Sequence, residues 1–165
     1  MDSREYETKM LEAYIATPSK VIWYAKAFQT LDRRSKGVSW YWNSWAMIGG
    51  FWYLLYRKQM KVALIILFII LIVGAIVPLP FFILFYLLLS LLLGGFSTYF
   101  VYTNYKLHRK DIEVMFEGDK EKSIGVMRIV AGVNSVALYA GVFAFVSLLL
   151  ITIGLLIMAK GSLPL

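Results

Sequence analysis

The side chains able to do acid–base or nucleophilic chemistry are few and scattered. The chain has one histidine and no cysteine. Without thiols there is no thiolate nucleophile, no disulfide framework and no cysteine metal site. His108 lies among Lys106, Arg109 and Lys110, where positive neighbours oppose its protonation, and a lone histidine is not a metal cluster. No GxGxxG, GxxxxGK[ST] or HExxH pattern occurs. Gly49-Gly50 and Gly94-Gly95 fall in apolar stretches, where they read as packing or bending points. The expectation is a non-enzymatic protein with no catalytic, cofactor-binding or metal-ligating residues.

One constellation does combine charge with aromatic surface. Arg33, Arg34 and Lys36 precede, and Arg57, Lys58 and Lys61 follow, an uncharged stretch over 38–56 that holds Trp40, Trp42, Trp45 and Trp52. Indole rings favour the headgroup level of a bilayer, where an apolar ring and a polar N–H are both accommodated. Flanking cations there anchor the chain and meet anionic lipid headgroups. These ten residues are the candidate lipid interface. A net charge of +7 is read the same way, and a nucleic-acid partner is not expected.

The elements that must carry this interface are apolar helices. The hydrophobic fraction is 60%, above the roughly 45–50% of a soluble domain. It is gathered into runs at 62–77, 79–101 and 129–159 that contain no Asp, Glu, Lys or Arg. A bilayer core needs about 20 apolar helical residues. The fold class expected is all-α, a multi-pass membrane protein with three spans. Pro78-Leu79-Pro80 joins the first two as a tight hairpin, because proline cannot continue one helix but can open the next. The second span is expected to run on as a helix to about Phe116, with an Arg109–Glu113 ion pair. The third run is longer than a bilayer core. It must tilt, extend beyond the membrane or break, with Gly132 and Gly141 as the places for a break.

The stretch 38–56 reads as an interfacial or re-entrant helix able to bend at Gly49-Gly50, with a fourth full span as the alternative. At helical spacing Trp45, Ile48, Trp52 and Leu55 form one face, while Asn43, Gly50 and Arg57 recur every seven residues on the other. Before it, residues 1–37 read as an amphipathic region of two helices. Tyr6, Met10 and Tyr14 share a face of the first, and Thr17-Pro18 starts the second. Five segments result: an amphipathic region at 1–37, the Trp-rich segment with its basic anchor at 38–61, the hairpin at 62–103, a helical connector at 104–128 and a last transmembrane segment at 129–165.

With three spans, every Lys and Arg except Lys160 falls on one side. The positive-inside rule then places the N-terminus in the cytoplasm and the C-terminus outside. Polarity within the runs is low, and the absence of ionisable residues there speaks against an ion-coupled carrier. Asn134 is the polar group expected to reach another helix. The runs do carry small residues at helical spacing, Ser90, Gly94 and Thr98 in one and Ala137, Gly141 and Ala144 in another. Such stripes let backbones approach closely, either within the chain or against a protein partner or second copy.

Trp42-Asn43-x-x-Ala46-x-x-x-Gly50, then Trp52 and Tyr56-Arg57-Lys58-x-Met60, looks like the signature of a bacterial membrane family classed as a domain of unknown function, number twenty-six twenty-eight. Tyr24-x-Lys26-Ala27-Phe28 and Asn104-Tyr105-x-x-His108 agree with it, so the resemblance covers roughly 24–108. Ser44 stands where the family usually has a second Trp, and Gly50-Phe51 where it often has Gly-Pro. The resemblance implies a small multi-pass inner-membrane protein and lends no activity. The functional expectation is an accessory or scaffold subunit of a larger membrane assembly. An anionic-lipid-interacting module is the alternative, and a small pore or transporter a distant third.

Overall fold

A computed structural model describes residues 1–34 and 37–161; among these the chain is all-helical, with no strand. Helix α1 (Ser3–Ile15) opens on Asp2, whose carboxylate accepts from the Ser3 N–H, and ends on Ala16 in the left-handed region. Pro18 then occupies the first turn of α2 (Pro18–Arg33), behind Thr17, where its missing N–H costs nothing. The face predicted for α1 is the one that packs. Tyr6, Met10 and Tyr14 meet Tyr24, Phe28 and Leu31 of α2, and all join Val101, Tyr105 and Ile112 of α5 and Met127 of α6 in one buried cluster. Met10, Ile15 and Tyr24 are almost fully buried, and each such apolar side chain contributes about 1.5–3 kcal/mol. We call this four-helix unit the cap.

Helices α4 (Met60–Ile76) and α5 (Leu79–Met115) form the predicted hairpin, with Val77 extended and Pro78 capping α5. Helix α5 has 37 residues, about 55 Å. Its first turns expose Phe81, Leu84 and Leu88, whereas from Leu93 onward it presents buried positions to the rest of the chain. It therefore runs beyond the apolar stretch and becomes a strut of the cap, ending one residue short of the expected Phe116. Helix α6 (Lys120–Val130) follows, capped by Asp119.

The last apolar run is not one helix. Ala131 is extended, Gly132 has φ 91°, and α7 (Ser135–Gly161) starts afresh. Of the two expected break points, Gly132 is used, because only glycine adopts that φ without strain. Asn134 does not bridge to another helix with its side chain. Its Oδ1 caps α7 by accepting from Ala137 N–H, and its backbone N–H reaches the Tyr56 carbonyl.

Two stretches among the described residues are long and apolar enough to cross a membrane, Leu79–Met115 and Lys120–Ala144. The second passes through the break at Ala131. The remaining expected span, α4, is a shorter apolar helix of 17 residues.

The Trp-rich stretch is not a single helix. Residues 38–43 are non-helical and lie along α5, with Tyr41 N–H on the Gly95 carbonyl (2.9 Å) and Asn43 N–H on the Gly94 carbonyl (2.7 Å). Helix α3 (Ser44–Tyr56) kinks at Gly50 (φ 52°, ψ −132°), beside the hydroxyl of Tyr86. The chain emerging from α3 then reaches Tyr14 through Gln59, and Tyr14 donates to the Val101 carbonyl. The segment enters at the level of Gly94, bends at that of Tyr86 and returns toward that of Val101. The 13 residues of α3, about 20 Å even if straight, are fewer than the roughly 20 a helical span requires.

Candidate functional site

Arg57, Lys58 and Gln59 sit where the Trp-rich segment, the cap and the hairpin converge. The sequence places Arg57 among the lipid-facing cations, but the structure buries it, with 7% of its surface exposed. Its Nη1 donates to the Ile15 carbonyl at 3.0 Å, and the guanidinium stacks over the rings of Tyr24 (4.7 Å) and Tyr56 (5.4 Å). A cation at the last carbonyl of α1 is favoured by the helix dipole, and two aromatic faces compensate part of its lost hydration. Lys58, in the left-handed region (φ 55°), donates to the Ala131 carbonyl at 2.6 Å. The Tyr14 carbonyl accepts from Gly132 N–H. The three-residue junction thus ties the end of α1, the α6–α7 break and the start of α4 together. Arg57 is unavailable to headgroups because its charge is spent inside the protein.

The polar face of α3 completes this centre. Asn43 caps α3 by accepting from Trp45 and Ala46 N–H groups. Its Nδ2 donates to the Tyr53 hydroxyl at 2.8 Å, which in turn shares a 2.5 Å hydrogen bond with the hydroxyl of Tyr24. Burial pushes the Tyr14 hydroxyl up to about 12 and Tyr24 well above its usual range, so both stay neutral donors at any physiological pH. The Nε of Arg57 and the hydroxyls of Ser97 and Thr98 are buried without a hydrogen-bond partner among the described residues. For Thr98 the reason is visible. The carbonyl four residues back, which a helical threonine ordinarily uses, belongs to Gly94 and already accepts from Asn43.

Asn43, Gly50 and Arg57 were expected opposite the Trp45 and Ile48 face, and so they are. The polar face points inward and is buried, while Trp45 and Ile48 point outward, 67% and 73% exposed. Trp40 and Trp42 are stacked (centroids 6.1 Å apart) and partly exposed. They rest on α5 where Gly94 and Gly95 remove side-chain bulk; a Cβ on Gly95 would stand only 2.4 Å from the Trp40 ring. Arg34 donates to the Trp40 carbonyl at 3.1 Å. Arg33 and Lys61 are exposed, and Lys36 lies outside the described residues.

Parts of the small-residue stripes are packed within the chain. Gly94 receives Met47 and Trp42, and Gly141 receives Trp52, with a Cβ there 3.0 Å from the indole. Thr98 and Ala137 are buried, Ser90 is half-buried and Ala144 is exposed. His108 accompanies this packing at the edge of the cap, its Nδ1 2.8 Å from the Asn104 carbonyl. Among the described residues no group of three or more His, Cys, Asp or Glu could hold a metal.

Sequence reasoning missed the cap's part in the centre. Nothing in the spacing of Tyr24 and Tyr53 announces that their hydroxyls meet, or that the Tyr14 hydroxyl reaches Val101 and Gln59. No protein-family profile, curated protein or solved structure matches the chain.

Proposed function

We propose that this chain is a non-enzymatic, three-span inner-membrane protein that serves as an accessory or scaffold subunit, holding a helical cap on the cytoplasmic face of a larger membrane assembly. The observation that carries the reading is the two-sidedness of α3. Its polar edge is buried and its Trp-Ile edge is exposed, which is stable only where the surroundings are apolar. The hairpin repeats this arrangement, with Phe68, Leu71, Leu84 and Leu87 exposed. In the proposed topology α4, the first part of α5 and α7 cross the bilayer. All Lys and Arg except Lys160 then fall on the cytoplasmic side, as the positive-inside rule favours. The junction at Arg57 supports the scaffold role, because it couples cap and spans rigidly.

Native extraction in mild detergent, with mass spectrometry of what comes along, tests it. Stoichiometric protein partners are expected; a lone monomer would sink the accessory role. Orientation is checked separately on the cysteine-free chain. A thiol introduced by Ser3→Cys is expected to resist an impermeant maleimide in intact cells and to react in inverted vesicles.

A second reading, an anionic-lipid-interacting module, is favoured by one observation, the stacked Trp40–Trp42 pair with Arg34 bonded to the Trp40 carbonyl. Liposome association that ignored phosphatidylglycerol content would remove this reading.

A further inference from the structure

The cap has one feature that its own packing does not use. Between α1 and α2 runs an open trough of about 790 Å³. Its floor is apolar, made by Leu11, Val21 and Phe28, and Ile22 stands in it with 73% of its surface exposed. On a surface that faces water rather than lipid, an isoleucine so exposed within an apolar trough is the mark of a docking surface rather than a core. The walls are charged and opposite in sign. Helix α1 contributes Glu7 and Glu12, α2 contributes Lys26, Arg33 and Asp32, and Arg109 of α5 also lines the trough. Glu7 pairs with Arg109 at 3.6 Å and Asp32 with Lys106, whereas Glu12, Lys26 and Arg33 have no ion-pair partner among the described residues. Arg109 is itself held by Glu113 at 2.8 Å, so the idle wall charge is that of Glu12, Lys26 and Arg33.

From this we infer that the trough between α1 and α2 is a docking site for an amphipathic helix of a partner protein, one with an apolar face, a basic edge toward α1 and an acidic edge toward α2. The complementarity is specific. A uniformly acidic or basic helix would satisfy one wall and be repelled by the other, and a small molecule would find no enclosure. Helix-in-groove recognition of this kind places apolar anchors at i, i+3, i+4 and i+7 in the groove and charges on its rims. The site rests on the accessory-subunit reading for its biological meaning, but not for its chemistry.

The test uses the full chain in nanodiscs and a set of designed helical peptides sharing one leucine stripe. The peptide with one lysine edge and one glutamate edge is expected to bind. Peptides with two lysine or two glutamate edges are expected to bind about five- to tenfold more weakly, the size of a few exposed ion pairs. Ile22→Lys should abolish binding, and Glu12→Lys, which leaves the unpaired wall charge all basic, should shift the preference to the peptide with two glutamate edges; both positions are exposed, and an unchanged melting curve confirms the fold. Binding that is equal for all three peptides, that persists in Ile22→Lys, or that is absent altogether overturns the site. Native extraction of the wild type and of Ile22→Lys separates this from the broader reading. A partner retained by Ile22→Lys rejects the trough and leaves the scaffold role standing. A mixed-edge peptide bound by a protein that extracts alone rejects the scaffold role and leaves the trough.

Discussion

Ile22 on α2 and Ile48 on α3 are equally exposed, each showing 73% of its surface, yet they belong to regions built on opposite rules. In the cap, apolar side chains turn inward to Met10, Tyr24 and Met127, and charges such as Glu12 and Lys26 face out. Around α3 and the hairpin the pattern is inverted. Asn43, Arg57, Ser97 and Thr98 are buried, while Trp45, Ile48, Phe68 and Leu84 lie at the surface. Exposure therefore has no fixed meaning along this chain. In the proposed topology its sign follows whether the surroundings are water or hydrocarbon.

The seam between the two regions is where a single change should cost most. Arg57→Ala removes the cation that holds the Ile15 carbonyl and fills the space between Tyr24 and Tyr56. A loss of about 3 kcal/mol is expected, the scale for breaking a buried charged contact. It should register as a clear fall in the thermal midpoint in detergent. Arg57→Lys should recover less than half of it, because an ammonium cannot stack on two rings while holding the carbonyl.

Gly95→Ala attacks the attachment of the Trp-bearing strand to α5. The new methyl meets the Trp40 ring, so overpacking should cost about 2 kcal/mol and lift residues 38–43 from the helix. A shift of tryptophan emission, absent from Gly125→Ala where nothing lies within 4 Å, checks this. Equal effects of the two would contradict the close packing.

The isoleucine pair gives the sharpest contrast. Ile48→Asp should cost about 2 kcal/mol and reduce membrane accumulation, since Asp is disfavoured by roughly that much in an apolar surround. Ile22→Asp should leave stability within about 0.5 kcal/mol. If the two variants melted alike, the division into a wet cap and a lipid-facing belt would be wrong.

The smallest effect is a pH dependence of the cap. Burial works against the charge of Asp32, but hydrogen bonds from Lys106 and Tyr102 prevail and hold its carboxyl below the ordinary value of 3.8. A depressed carboxylate adds stability above its unfolded pKa and loses it as pH falls through the folded one. Wild type should therefore exceed Asp32→Asn in thermal midpoint above about pH 5 and converge with it in stronger acid. Half of the Asp32 side chain is exposed, so the difference should stay below about 1 kcal/mol.

Much of the architecture was legible along the chain. The turn at 77–78, the α5 helix reaching Met115, the Arg109–Glu113 pair and the two-faced character of α3 follow from proline chemistry and helical spacing, which act over a few residues. The site was only half legible. Arg57 and Lys58 read as surface anchors because basic residues at an apolar boundary usually snorkel, and no local signal separates a cation that reaches lipid from one that reaches the carbonyl of Ile15.

The one-dimensional order of residues determined that this is a helical chain with apolar runs, where those runs turn, and that α3 has a polar and an apolar edge. These properties depend on neighbours three, four and seven residues apart. Only the tertiary structure decided which edge of α3 faces inward, that residues 38–43 leave the helix to lie on Gly94 and Gly95, and that Tyr14, Tyr24 and Tyr53 close around Arg57. Each of those outcomes joins groups separated by 29 to 87 positions. Such contacts depend on how whole helices fill space together, and no period in the sequence encodes that.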